Sequence, residues 1–202
     1  MRFVSYRQGG QRGYGLVQGD FVWSLPQYLP QALDLRGFIA RGLLEQARYL
    51  PQAKAPDARL AELELDLPLP EPGKIICVGV NYGGRGAEYE DPREASYPSL
   101  FLRTPQTFVP HGGAVLVPPE SEQLDYEGEI VLVIGRAGRR IPETEALEHV
   151  FGYTLMNEGT VRDWLRHAKF NVTQGKNFER SGALGPEIVT RDEVPDPQGV
   201  RL

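Results

Sequence analysis

The run Asp125-Tyr126-Glu127-Gly128-Glu129-Ile130-Val131-Leu132-Val133-Ile134 decides how this chain is read. Its apolar half, rich in β-branched residues, predicts a strand over 128–134 covered on both faces. Side chains alternate along a strand, so Glu127 and Glu129 point to the same side while Gly128 leaves the other side uncrowded. Two ionised carboxylates that close repel unless a proton or a cation sits between them. Hard oxygen ligands suit Mg²⁺, Mn²⁺ or Ca²⁺, and a site with few protein carboxylates and several waters suits Mg²⁺ best. A solvated strand face carrying two surface glutamates would satisfy the same short pattern.

Outward from that run, Gly152-Tyr153-Thr154-Leu155-Met156-Asn157-Glu158 predicts a second strand that delivers Glu158 to its end. Strand ends are where sites are built, and a third carboxylate would help neutralise a divalent cation. A glutamate at the start of a helix would interact with the helix dipole equally well, and a helix is expected over 160–167, capped by Thr160. Lys176, in Thr173-Gln174-Gly175-Lys176-Asn177-Phe178, is not a phosphate-loop lysine, because Phe170 stands where that motif needs glycine and Asn177 where it needs Ser or Thr. The glycines of residues 81–86 likewise miss the dinucleotide-binding spacing. No Ser-His-Asp or Cys/His metal pattern is visible, and the lone Cys77 reads as a small core residue.

With 202 residues, 41% apolar composition and a net charge of −5, the chain is globular material with little affinity expected for nucleic acid or an anionic membrane. Nothing in its N-terminus resembles a signal peptide, so a cytoplasmic location is expected. Residues 1–66 read as a small α/β domain: strands over 2–6, 14–18 and 21–24 with a Gly19-Asp20 hairpin turn, then a helix pair over 32–49. The proline-rich residues 67–73 mark the boundary. Residues 73–202 read as a mostly β domain with strands over 74–80, 100–103, 114–117, 128–134 and 150–156. His111 is a candidate to reach the site, whereas His149 and His167 read as surface or capping groups. Trp164 reads as core, and Arg162-Asp163 as an ion pair supporting Glu158 in preference to an active-site pair.

Taken together, Val78-Gly79-Val80-Asn81-Tyr82, Glu88, Phe101-Leu102-Arg103, the 125–129 segment, Gly152-Tyr153-Thr154, Asn157-Glu158, Arg162-Asp163-Trp164, Gly175-Lys176-Asn177-Phe178 and Gly185-Pro186 resemble the fumarylacetoacetate hydrolase family from about residue 74 onward. The resemblance implies an α+β, mostly β fold, with a β-roll catalytic domain and a small N-terminal α/β domain, usually as a homodimer. It also implies Mg²⁺ or Mn²⁺ held by three carboxylates, here Glu127, Glu129 and Glu158, the last replacing a more usual aspartate. Lys176 would stabilise negative charge on the substrate, and Arg103, where lysine is common, would bind a substrate carboxylate with Arg85 and Tyr82. Many members place a histidine where Arg85 stands; arginine is too basic to serve as general base, which leaves Glu88 to move the proton. The expected activity is hydrolysis of a C–C bond in an acylpyruvate-type 2-oxo acid, as in aromatic-compound catabolism. Isomerisation or decarboxylation of a related 2-oxo or hydroxydienoic acid, or a non-catalytic binding role, are the alternatives. The resemblance further implies more strands and a Thr-Gly-Thr-Pro-type loop after residue 202, so the sequence is expected to be either part of a longer chain or a truncated protein whose open sheet edge must find a partner.

Overall fold

The computed structural model describes residues 1–79, 81, 98–167 and 171–200. The chain opens with three antiparallel strands, β1 (Arg2–Gln8), β2 (Gln11–Gln18) and β3 (Phe21–Ser24). Gly19 makes the β2–β3 turn with a φ of 58°, a conformation that glycine adopts without the Cβ penalty. Four short helices follow: α1 (Leu25–Tyr28), α2 (Leu35–Ala40), α3 (Leu44–Arg48) and α4 (Leu50–Ala53). The Asp34 carboxylate caps α2 by accepting from the Gly37 N–H at 2.6 Å. Thus the expected helix pair over 32–49 forms as α2 and α3, with Gly42 between them.

Small strands β4 (Ala58–Arg59) and β5 (Glu64–Leu65) lead to the proline-rich stretch, and then β6 (Ile75–Gly79) pairs with β7 (Ser99–Arg103) as a separate two-stranded ribbon. Beyond these lie β8 (Phe108–Val109), β9 (Leu124–Asp125), β10 (Gly128–Ile134), β11 (Val150–Asn157), β12 (Thr160–Val161), helix α5 (Thr173–Lys176) and β13 (Gly182–Thr190). One nine-stranded sheet runs in the order β10-β11-β13-β1-β2-β3-β4, with β5 on β1 and β8 on β13. It crosses the proline-rich stretch, because β1 lies antiparallel to β13, pairing Phe3 with Ile188. Phe3, Tyr14, Leu16, Trp23, Val133 and Ile188 pack with Leu35 and Phe38 of α2 in the principal core. Complete burial of such a side chain contributes about 1.5–3 kcal/mol.

Several expectations are corrected. β10 is covered on one face rather than two: Val133 is buried, while Leu132 and Ile134 are 49% and 61% exposed, because β10 is the edge strand of its sheet among the described residues. The helix expected over 160–167 is instead strand β12 followed by a single 3₁₀ turn, Asp163–Arg166. Thr160 does not cap it; Thr160 pairs with Asp125 across β9, and its hydroxyl donates to the Glu158 carbonyl at 3.1 Å. Residues 114–117 form no strand; Leu116 makes one backbone bond to the Arg180 carbonyl at 2.9 Å. β13, which tolerates Pro186 inside it, was not expected.

Candidate metal centre

Register assembles the site. Gly128 pairs with Asn157 and Glu129 with Met156, and the Glu158 N–H extends the ladder by donating to the Glu127 carbonyl at 2.7 Å. Glu127 therefore stands opposite Glu158, and Glu129 lies two residues along on the same face. Carboxylate oxygens of all three lie within 4.8 Å of one another. Glu158 is only 5% exposed. The Asn157 side chain holds the entrance of β10 by accepting from the Glu127 N–H at 3.1 Å.

Among the described residues, two cations face these acids. Lys176, at the end of α5, donates from Nζ to Glu127 Oε2 at 2.7 Å and to Glu158 Oε2 at 3.2 Å, beside the Phe101 ring. Arg162, just after β12, reaches Glu127 Oε1 at 2.8 Å and Asp125 Oδ2 at 2.9 Å. The expected Arg162-Asp163 pair supporting Glu158 does not form: Arg162 bridges two other acids, and Asp163 accepts from Ser121 at 2.6 Å. The β9–β12 ribbon turns Arg162 toward β10, a tertiary effect that adjacency in sequence does not reveal.

Beneath Glu158 lie Cys77 and Arg103. Burial, then contact with the Glu158 carboxylate, pushes the Cys77 thiol well above its ordinary value. Cys77 is buried, as expected, although the neighbour that matters is a carboxylate. Arg103 is 3% exposed and donates to Thr107 Oγ1, the Gly159 carbonyl and Ser181 Oγ at 3.2, 3.1 and 3.1 Å. Its guanidinium is therefore held by three acceptors within the protein. Burial lowers its affinity for a proton, with the charge of Glu158 opposing the shift. Thr107 and Ser181 went unnoticed in the sequence because single hydroxyls carry no spacing signal, whereas Asn157 was read only as part of a motif and not as the acceptor for the Glu127 N–H.

Of the other candidates, Tyr82, Arg85 and Glu88 lie outside the described residues. His111 is exposed but, with Glu129, Met156 and Leu184, lines a cleft of about 230 Å³. His149 is buried, its Nδ1 lying 2.9 Å from the Arg136 carbonyl. His167 is exposed and stacks on Trp164, which is half-buried and meets Phe178 edge-on.

The donor set fits a hard divalent cation. It offers three convergent carboxylates, and Glu158 Oε1 is buried with no hydrogen-bond partner among the described residues. Residues 74–202 match the fumarylacetoacetate (FAA) hydrolase C-terminal domain. The chain belongs to the fumarylacetoacetate hydrolase family. Within this family it is 37% identical over 147 residues to oxaloacetate tautomerase YisK of Bacillus subtilis (strain 168), covering 71% of this chain and 48% of that protein. It is 32% identical to the human mitochondrial oxaloacetate tautomerase FAHD2A, covering all of this chain and 67% of that one. It thus spans roughly half to two thirds of these relatives' lengths. A probable 2-hydroxyhepta-2,4-diene-1,7-dioate isomerase from Mycobacterium abscessus superposes with a TM-score of 0.71 at 31% identity, covering 94% of this chain and 64% of that one. Maleylpyruvate hydrolase from Sphingobium sp. SYK-6, solved with manganese(II) and pyruvate, shares the fold at 23% identity, with a TM-score of 0.76 and coverage of 98% and 70%. No helix among the described residues is long and apolar enough to cross a membrane.

Proposed function

We propose that this fumarylacetoacetate hydrolase family chain catalyses divalent-metal-dependent proton transfer on a 2-oxo dicarboxylic acid, interconverting its keto and enol forms. The observation that carries this is the convergence of Glu127, Glu129 and Glu158 with the Lys176 ammonium at 2.7 and 3.2 Å. The three carboxylates would hold Mg²⁺ or Mn²⁺, which when bound would polarise the substrate's 2-oxo group. Lys176 sets a fixed positive charge beside that space, where an enolate oxygen develops as the C3 proton leaves. Buried neighbours make that charge more effective than it would be in water. Glu88 would take the C3 proton and deliver it to the 2-oxygen, so the substrate's atoms are conserved; Arg85 and Tyr82 would serve its distal carboxylate. The oxaloacetate tautomerases among its relatives support this substrate class.

Cleavage of an acylpyruvate C–C bond, the activity expected from the motifs, needs an activated water in addition. Arg85 at the position of the usual histidine weighs against it. In this reading residues 1–66 form the small domain and 73–202 the catalytic one, in a cytoplasmic homodimer. The exposed aliphatic face of β6–β7, where Ile76 opposes Leu102 and Val78 opposes Leu100, supports self-association.

The test follows the ultraviolet absorbance of enol-oxaloacetate with Mn²⁺ present or chelated, for the wild type and Glu129→Gln. Metal-dependent decay above the ion-only blank, lost in the variant, is expected. Decay no faster than the blank would overturn the proposal, while pyruvate released from an acylpyruvate would return the assignment to hydrolysis, and CO₂ to decarboxylation.

A further inference from the structure

We infer that Arg103 is a positioning residue for the carboxylate cluster, a role resting on the metal-dependent function proposed above. At the end of β7, its guanidinium ties together three separate stretches: Thr107 after its own strand, Gly159 beyond β11 and Ser181 before β13. Two of these acceptors are themselves fixed, Thr107 Oγ1 by donating to the Thr104 carbonyl at 2.7 Å and Ser181 Oγ by donating to the Phe178 carbonyl at 2.8 Å. The flat face of the guanidinium rests 4.4 Å from the Phe108 ring centroid. Gly159 directly follows Glu158, so holding the Gly159 carbonyl fixes the chain turn that carries the most buried of the three carboxylates.

The backbone is shaped to admit this group. A Cβ on Gly182 would come within 3.1 Å of Arg103 Nη2, and a Cβ on Gly159 would land on the Ser181 carbonyl. All three acceptors are neutral, and among the described residues no carboxylate lies within ion-pair reach of Arg103. A buried cation without an ion pair is costly to the fold, and three neutral hydrogen bonds offset only part of that cost. Its remaining compensation comes from Glu158 and, more weakly, Glu127, whose charges favour its protonated form. Lysine, a single point charge on a flexible stem, lacks the rigid planar fork by which Arg103 reaches Thr107, Gly159 and Ser181 at once in this chain.

The deciding measurement is Mn²⁺ affinity, read by electron paramagnetic resonance on the full chain well below its melting temperature. The wild type, Arg103→Lys, Ser181→Ala, Glu129→Gln and the remote core variant Leu16→Ala are compared. Arg103→Lys is expected to weaken Mn²⁺ binding by about 10- to 100-fold, the usual range for loss of a residue that orients a metal ligand. Ser181→Ala should weaken it less, and Leu16→Ala should lower the melting temperature while keeping wild-type affinity. Wild-type affinity in Arg103→Lys, or an equal loss in Leu16→Ala, would overturn the inference. Should Arg103→Lys fail to fold, unchanged affinity in Ser181→Ala overturns it instead. Wild type that binds no Mn²⁺ removes the metal reading and this role together, whereas binding lost in Glu129→Gln but intact in Arg103→Lys removes this role alone.

Discussion

Replacing Lys176 with Met keeps the apolar stem of the side chain and deletes the ammonium that Glu127 and Glu158 share at 2.7 and 3.2 Å. The lysine side chain is 7% exposed and its partners 13% and 6%, so solvent screens little of the interaction. Removing one partner from a buried ion pair costs about 3–5 kcal/mol, because the charge left behind is stranded. The lower end applies here, since Arg162 still holds Glu127 Oε1 at 2.8 Å. For a domain of this size, about 3 kcal/mol lowers the melting temperature by roughly 6–12 °C. A saturating divalent cation neutralises the same carboxylates and adds about 2.7 kcal/mol at a hundred times its Kd. Melts of both proteins in chelator and in excess Mn²⁺ should therefore show a deep deficit for Lys176→Met that Mn²⁺ largely erases, with enol decay lost in both conditions. A deficit of equal size with and without Mn²⁺ would refute the argument, because the lysine and the cation would then not be acting on the same carboxylates.

Glu129→Gln should show no Mn²⁺-induced rise in melting temperature, as seen by differential scanning fluorimetry, where the wild type does. Gly159→Ala should destabilise the protein by more than about 3 kcal/mol in urea titrations and weaken Mn²⁺ binding, because the new Cβ must displace the backbone of Ser181 beside Glu158. Tyr14, buried and near Asp34, has its phenol pushed up to about 12 and donates to the Ala32 carbonyl at 2.9 Å. Its folded value lies above the unfolded one, so its contribution is fully present below pH 10 and is lost as pH rises toward 12. Tyr14→Phe should flatten the decline of the urea midpoint across that window, and an unchanged slope would show that other groups cause it.

Local pattern carried much of the site. The alternation that puts Glu127 and Glu129 on one face is a property of any strand, and Val150–Asn157 delivers Glu158 as its run of residues suggests. What local pattern could not supply was partnership. Glu127 meets Glu158 because of the register between β10 and β11, and Arg162 meets Glu127 because β12 pairs with β9. Arg103 illustrates the same limit. The motif places a cation at that position, but only the approach of Gly159 and Ser181 turns it inward. The apolar run Ile130 to Ile134 suggested full enclosure, yet hydrophobicity reports a preference for burial and says nothing of which neighbour provides it. Strand β13 was hidden by Pro186, whose missing N–H weakens a strand signal wherever it occurs.

The place of β1 in the sheet bears on how the chain comes into being. Its neighbour β13 lies 185 residues away, the separation of the Arg2–Glu187 contact, and the Met1 ammonium pairs with Glu193. At ordinary translation rates of about 5–20 residues per second, the first strand waits roughly 10–40 seconds on the ribosome before that neighbour exists. During that interval, one edge of the growing sheet has no native strand to pair with. Pairings so distant in sequence also slow folding once synthesis ends. Maturation of this protein should therefore depend on chaperones that shield nascent chains until β13 has been made.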